Sequence, residues 1–338
     1  MIHELGRFDN FLKCQNPFVF TVYHNDLMPP SDGSQKPSEL RLPDPKEGDL
    51  DWDSPWRMYY GEEVPGFPAH PHRGLETVTV LRQGCIDHTD GLGGRGRYMD
   101  GDTQWMTAGK GLQHAEMFPL RFDDRANPLQ LFQIWLSLDN HKRMVEPAYK
   151  MIWQEETPVL IHHDRDQLET RITLIAGELN GQKPPAPTED SYASDPSSKL
   201  SIQLLDLQPG ACYEIPAGDA ALNRSLYFYE GHRLDIEGQE TEPMTYAFVS
   251  GDEAIPLLNN GQTPAQVLLL EAVPISGPIV HEYAYVMNTE EEILQAKRDF
   301  AKTGFGGWPF DRADVYYEAD QGRFAVYTDG AEHYPPES

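Results

Sequence analysis

Cysteine is scarce in this chain of 338 residues, which contains only Cys14, Cys85 and Cys212. The three are widely separated, odd in number and form no CxxC pair. They therefore suggest neither a disulfide framework nor a closed, cysteine-rich zinc site. The first seven residues also lack the basic-then-apolar pattern of a secretory signal. We expect a protein of the reducing cytoplasm.

Positive charge and long hydrophobic runs are lacking as well. Lys and Arg number 27 against 54 Asp and Glu, which gives a formal net charge of −27. So acidic a surface repels nucleic-acid phosphates and anionic lipids. The longest apolar runs, such as Val267 to Leu270, are far too short to span a bilayer. The composition disfavours nucleic-acid and membrane binding, while a protein partner with a basic patch is compatible with it.

Glycine and proline are abundant instead, with 28 of each. Many short strands joined by turns use both, whereas helix-rich proteins tolerate far fewer. Apolar residues make up 39% of the chain and aromatic residues 11%, enough to form packed cores. The composition predicts an all-β protein, and the length predicts two domains.

Candidate strands fall into two sets along the chain. The first set comprises residues 17–24, Leu75–Arg82, Cys85–Thr89 and Leu129–Leu138, and the second comprises Arg171–Ala176, Leu200–Leu207, Ser225–Tyr229, Met244–Val249 and Gln266–Val273. Gln83-Gly84 predicts a hairpin between two strands of the first set. We predict an N-terminal domain over residues 1–150, a second domain over 151–310 and a C-terminal extension over 311–338.

Three further segments have local signatures. The stretch from Met28 to Pro65 is rich in Pro, Asp, Glu and Ser and predicts a long surface loop. Thr289 to Glu292 fits a capping box and Gly304 a C-terminal stop, so one helix is expected between them. The aromatic, acidic tail after Trp308 contains a possible strand at Arg323–Thr328.

Two short pairs, His70-Pro-His72 and His114-Ala-Glu116, are the strongest candidates for chemistry. Residues i and i+2 of a strand face the same side, about 6.6 Å apart, so each pair can aim both side chains at one point. Three imidazoles and one carboxylate suit iron, nickel, copper, manganese or zinc. Glu76 lies four residues after His72, so either Glu76 or Glu116 could complete the set. Glu116 is better placed, being two residues from His114.

Other segments offer weaker candidates. Gly91 to Gly96 fits the GxGxxG dinucleotide fingerprint, but a strand and turn follow where a helix is needed, which predicts a loop between strands. His88 and Asp90 could pair at a cavity mouth, although support of a turn is the simpler interpretation. The candidate walls of a substrate pocket are Gln104, Trp105, Met106 and Glu76.

The segments His70–Thr79 and Gly101–Met117 closely resemble the two signature segments of pirins, a family of the cupin superfamily. The likeness runs from about residue 64 to 306 and includes Met144–Pro147 and Val286–Glu292. It implies a bicupin: two facing double-stranded β-helix (jelly-roll) barrels with a few helices and with metal in the N-terminal barrel alone. The family's metal ligands fall on His70, His72, His114 and Glu116, which favours Glu116 over Glu76.

The resemblance also implies two possible functions. Some pirin-like proteins resemble quercetin 2,3-dioxygenases, which open the central ring of a flavonol and release carbon monoxide. This implies a flavonol-like substrate, dioxygen and one mononuclear divalent metal, with Fe(II) first and nickel, manganese, copper or zinc as alternatives. Glu116 would act as the catalytic base. Other pirins regulate transcription factors or metabolic enzymes with a redox-sensing metal, so a regulatory binding protein is the alternative.

The chain departs from the family pattern in two places. The stretch Met28–Pro65 is longer and more acidic than expected of a pirin, and the tail beyond Trp308 runs past the family's usual end. Either segment could cover the pocket mouth or form an oligomer contact.

Overall fold

A computed structural model describes residues 1–39, 41, 44 and 46–337. Within these residues the chain forms 24 strands, one α-helix and three short 3₁₀ helices, which confirms the predicted all-β class. The strands are β1 Ile2–Arg7, β2 Phe18–Met28, β3 Gly66–His72, β4 Leu75–Gln83, β5 Cys85–Asp90, β6 Arg95–Met99, β7 Thr103–Thr107, β8 Leu112–Met117, β9 Asn127–Ser137, β10 Ala148–Ile152, β11 Val159–His163, β12 Glu169–Ala176, β13 Ser201–Leu207, β14 Cys212–Ile215, β15 Asn223–Glu230, β16 Leu234–Ile236, β17 Gln239–Thr241, β18 Thr245–Val249, β19 Ile255–Leu258, β20 Ala265–Ala272, β21 Val280–Glu282, β22 Tyr285–Met287, β23 Phe324–Val326 and β24 Glu332–His333. The α-helix, α1, is Glu290–Thr303, and the 3₁₀ helices are Tyr192–Ser194, Pro196–Ser198 and Gly304–Gly306.

The chain divides into two compact units, each made of two segments. Residues 1–21 and 156–276 form one unit, and residues 22–155 together with the chain from Gly277 onward form the other. This division differs from the contiguous domains expected at 1–150, 151–310 and 311–338. The pairing of the terminal strands explains the difference, since β1 pairs with β18 and β23 pairs with β6.

The unit that contains residues 156–276 is built from two sheets. The larger has the order β1-β18-β15-β20-β13-β12-β11, and the smaller has the order β14-β19-β16-β17. The five strands predicted between residues 171 and 273 are present and lie side by side in the larger sheet. Alternate side chains such as Leu205, Leu226 and Leu269 are fully buried in one apolar core, as the period of two predicts.

The unit that contains residues 22–155 has two large sheets and a separate two-stranded sheet, in which β21 pairs with β22. One large sheet has the order β10-β7-β4-β9-β2, and the other has the order β24-β23-β6-β5-β8-β3. Leu81, Tyr98, Met106 and Met151 belong to its buried core. The strand predicted at Arg323–Thr328 is confirmed as β23, and the tail thus contributes two strands to the second sheet. Residue 338, the last of the predicted extension, lies outside the described residues.

The predicted hairpin at Gln83-Gly84 is wrong, although both of its strands exist. β4 pairs with β7 and β9, whereas β5 pairs with β6 and β8 in the other sheet. The chain crosses between sheets at Gly84, whose φ is +118°. A Cβ atom there would lie 2.8 Å from Leu129 Cδ1, so the crossing needs glycine for its conformation and for its space.

Helix α1 confirms the predicted Thr289 cap and the Gly304 stop, but only one half of the capping box. The backbone amide of Glu292 donates to Thr289 Oγ1 at 3.2 Å, and Gly304 ends the helix with a φ of +56°. The Glu292 carboxylate accepts from the Asn288 amide, one residue before the cap. None of the helices in the described part of the chain is long and apolar enough to cross a membrane.

The segment Met28–Pro65, predicted as a surface loop, is only partly exposed. Between β2 and β3 the described residues form no named strand or helix, while residues 40, 42, 43 and 45 lie outside the description. Met58, Tyr59 and Val64 are fully buried. This half of the loop is therefore part of the core.

A buried ion pair ties the loop to β2. Arg57 Nη1 lies 2.5 Å from Asp26 Oδ1, and both side chains are buried. The Tyr59 hydroxyl donates to the other oxygen, Asp26 Oδ2, at 2.7 Å. Removal of one partner from such a pair leaves the other as an uncompensated buried charge.

Replacement of Asp26 by Ala should therefore lower the free energy of unfolding by about 3–5 kcal/mol. The double variant Asp26→Leu, Arg57→Met removes both charges and should recover most of that loss. Urea unfolding of the three proteins checks the expectation. A loss below about 1 kcal/mol in Asp26→Ala would show that the pair does not anchor the loop.

Candidate metal centre

Strands β3 and β8 bring the three predicted histidines together. Their antiparallel register places His70 opposite His114 and His72 two residues further along β3. One ligand atom from each of His70, His72 and His114 lies within 4.8 Å of the other two, an arrangement that could hold a metal ion. The ring centroids are 4.4 Å apart for His70 and His114, and His72 is 5.0 Å from each. The predicted convergence of side chains at i and i+2 is thus present in β3.

Burial keeps the three imidazoles neutral. It lowers the pKa of His70 to about 4 and the pKa of His72 and of His114 well below 6.5. The neighbouring imidazoles add to this lowering, because two cations so close would repel each other. A neutral imidazole keeps a lone pair, so the protonation state suits metal ligands.

Hydrogen bonding also leaves nitrogen atoms available to a metal. His70 Nδ1 lies 2.9 Å from the carbonyl oxygen of Pro68, which can only accept, so Nδ1 carries the proton and Nε2 keeps its lone pair. Both ring nitrogens of His114 are buried and have no hydrogen-bond partner among the described residues. Buried polar atoms without partners are costly, and a metal would satisfy one of them. These donors therefore fit a divalent transition metal.

Glu116 lies beside the histidines and is held from the opposite sheet. Its Oε2 is 3.8 Å from His114 Nε2. Gln133 on β9 donates from Nε2 to that Oε2 at 2.6 Å, and the Thr79 hydroxyl on β4 donates to Oε1 at 3.3 Å. Burial raises the pKa of Glu116 above its ordinary value. A carboxylate in this position can serve as a ligand or as a proton acceptor.

Glu76 and Trp105 are not brought to the histidines. On β4 and β7 the register pairs Val78 with Trp105 and Glu76 with Thr107. Strand alternation puts all four on the sheet face opposite that of Thr79. Glu76 Oε1 accepts from Trp105 Nε1 at 3.0 Å and from Thr107 Oγ1 at 2.9 Å, and these side chains are fully buried. This carboxylate joins strands on the far face of the sheet.

Gln104 and Met106, in contrast, lie on the same face as Thr79. Gln104 is opposite Thr79 and Met106 is opposite Thr77. Met106 packs in the apolar core. Gln104 is fully buried, and neither atom of its amide has a hydrogen-bond partner within the described part of the chain. Gln104 therefore offers a donor and an acceptor to a bound molecule.

His88 lies at the site rather than in a turn. It belongs to β5, stands opposite Glu116 in the register, and its ring centroid is 5.5 Å from that of His114. Its Nε2 lies 3.5 Å from Asp90 Oδ2. The two side chains considered from sequence thus lie close together in a fully buried strand, but neither ring nitrogen of His88 has a hydrogen-bond partner among the described residues.

The sequence alone does not single out Gln133 or Trp135. Trp135 is half-buried, and its ring is 5.0 Å from that of His72 and 5.8 Å from that of the exposed His281. Together with the half-buried His70, it marks the accessible side of the cluster. The available signal was a polar and an aromatic residue at i and i+2 in an otherwise apolar strand.

The buried histidines predict how the metal-free protein responds to acid. The folded pKa of His114 is lowered below 6.5, so under mildly acidic conditions the unfolded chain binds a proton that the folded chain excludes. Stability is therefore lost as pH falls below 6.5. His114→Leu removes this group. Between pH 6 and pH 5 the free energy of unfolding of the wild type should fall by about 1 kcal/mol more than that of His114→Leu. Urea unfolding of both metal-free proteins measures the difference, and equal losses would contradict it.

Comparison with known proteins agrees with the fold. A family model described as Pirin matches residues 50–136, and one described as Pirin C-terminal cupin domain matches residues 204–306. The chain is 33% identical over 246 residues to a pirin-like protein of Solanum lycopersicum, covering 71% of this chain and 77% of that protein. It is 35% identical over 245 residues to a protein of Pseudomonas aeruginosa named as a candidate quercetin 2,3-dioxygenase, covering 70% and 79%.

The fold is similar to that of a solved cupin. A crystal structure of quercetin 2,3-dioxygenase from Acinetobacter baumannii superposes with a TM-score of 0.70 and 24% identity, covering 90% of this chain and 98% of that one. Three findings point to the same family: the two β-rich units, the matches to both pirin domains and the relatives above 30% identity. The chain belongs to the pirin family and has its bicupin fold.

Proposed function

We propose that the protein is a metal-dependent dioxygenase that opens the central ring of a flavonol such as quercetin. The observation that carries the proposal is the cluster of neutral imidazoles beside Glu116, with its accessible side at His70 and Trp135. Four protein ligands leave one or two positions open on a divalent transition metal. The Pseudomonas relative named as a candidate quercetin 2,3-dioxygenase supports the same chemistry.

The proposed metal ligands are His70, His72, His114 and Glu116. Fe(II) is the first candidate, and nickel, manganese, copper and zinc are alternatives, because nitrogen and carboxylate donors accept all of them. When bound, the metal supplies a Lewis acid and an open coordination position.

Glu116 is the proposed general base. Burial raises its pKa, so its carboxylate can accept the proton of the flavonol 3-hydroxyl. Gln104 supplies an unpartnered amide on the same face as Thr79, and Trp135 supplies an aromatic surface beside His72. These groups can orient a planar, hydroxylated ring system. Dioxygen is the second substrate, and carbon monoxide leaves.

The surface charge and the cysteines bear on partners and compartment. A formal net charge of −27 disfavours nucleic acids and anionic membranes as partners. Cys14, Cys85 and Cys212 are free thiols, and on this pattern we place the protein in the reducing cytoplasm.

Aerobic quercetin consumption by the metal-stripped protein, reloaded in turn with iron, nickel, manganese or copper, tests the proposal. Turnover should depend on the metal and should fall to the metal-free level in His114→Ala. His232→Ala, which removes an exposed histidine of the other unit, is the matched control and should retain activity.

Two negative results are informative. Stoichiometric loading without turnover by any metal would favour the regulatory binding protein or a different substrate. Failure of every metal to bind would refute the ligand set itself.

A further inference from the structure

We propose that Gln133 is a positioning residue that fixes the orientation of Glu116, and that Trp135 fixes Gln133 in turn. The inference rests on the proposed metal site, in which Glu116 is a ligand and base. It adds two side chains of β9, a strand of the sheet that does not contain the histidines.

Trp135 determines which way the Gln133 amide points. An indole Nε1–H can only donate, and this one lies 3.1 Å from Gln133 Oε1. The amide oxygen must therefore face Trp135, and the NH₂ group must face Glu116. Gln133 Nε2 indeed lies 2.6 Å from Glu116 Oε2. A flipped amide would set two donors against each other at Trp135 and two acceptors against each other at Glu116.

Strand register makes this chain of hydrogen bonds possible. Gln133 is opposite Thr79 on β4, and Trp135 is opposite Thr77, so all four share one face of the sheet. Thr79 contacts Glu116, which identifies this face as the one directed at β8. Glu116 therefore accepts hydrogen bonds from two side chains, those of Gln133 and Thr79, across the barrel interior.

The two contacts on Glu116 are unequal. Oε2 accepts a short hydrogen bond from Gln133, whereas Oε1 lies 3.3 Å from the Thr79 hydroxyl. Hydrogen bonds to the ionised form oppose the effect of burial and keep the carboxylate available as a ligand. Trp135 is half-buried next to His72, so the hydrogen bonds from Trp135 through Gln133 connect the accessible side of the site with Glu116.

Manganese(II) binding to Gln133→Leu, Trp135→Phe and the double variant tests this role. We expect affinity about tenfold weaker in Gln133→Leu and about threefold weaker in Trp135→Phe, which keeps an aromatic ring but loses the N–H. The electron paramagnetic resonance spectrum of bound manganese should change in both, because the ligand geometry changes. The double variant should be no weaker than Gln133→Leu, since Trp135 acts through Gln133.

The controls separate this role from general damage to the fold. Gln130→Leu makes the same substitution on the opposite face of β9, where Gln130 bonds to Tyr23, and should bind manganese as the wild type does. Unfolding midpoints accompany every titration. Trp135→Phe still tests the role if Gln133→Leu does not fold.

The failures are distinguishable. No manganese binding by the wild type, or unchanged affinity and spectrum in Glu116→Gln, would overturn the ligand set and with it the role of Gln133. Impaired Glu116→Gln together with normal Gln133→Leu and Trp135→Phe would overturn the positioning role alone. Additive losses in the double variant would overturn the route from Trp135 through Gln133.

Discussion

The candidate metal centre depends on the antiparallel pairing of β3 with β8. In this pairing Phe67 stands opposite Glu116 and His70 opposite His114, so β3 has one residue more than β8 over the interval. A bulge of this kind re-aims the side chains that follow it. Without the extra residue Ala69, not His70, would stand opposite His114. His72 and His114 are buried in this arrangement, whereas His70 is half-buried. Burial favours the neutral form of the imidazoles.

Polar side chains in an otherwise apolar interior lower the stability of the folded protein. Gln104, Thr79 and Gln133 form a polar row across β7, β4 and β9, and the Gln104 amide is buried without a hydrogen-bond partner among the described residues. The surrounding core of side chains such as Leu81 and Met106 must offset the cost. Proteins retain buried polar groups without hydrogen-bond partners chiefly where these groups serve a function.

The sequence could predict features that depend on one strand or one turn. The His70–His72 geometry and the cap of α1 are of this type, and both are present. Alternation along the chain, however, carries no information past a turn. Glu76 has the parity of His72, yet Gly74 separates β3 from β4 in different sheets, and Glu76 faces away from the site. The hairpin predicted at Gly84 is wrong for a related reason, because a turn signal does not show whether the next strand stays in the same sheet. Nothing in the sequence singles out Gln133, because its contact with Glu116 spans the barrel.

Glu76 and Glu116 show how similar surroundings give a carboxylate different possibilities. Glu76 accepts hydrogen bonds directly from the side chains of Trp105 and Thr107. Both bonds go to one carboxylate oxygen, and both donors lie on a neighbouring strand of the same sheet. Glu116 instead accepts a hydrogen bond from Gln133, which in turn accepts one from the Trp135 indole. The Thr79 hydroxyl donates to Glu116 at the longer distance of 3.3 Å. A direct bond to a strand neighbour fixes a side chain to the sheet. In Glu116, the hydrogen bond from Gln133 fixes Oε2, whereas Oε1 is held more weakly. His114 is close enough to share a metal with this carboxylate.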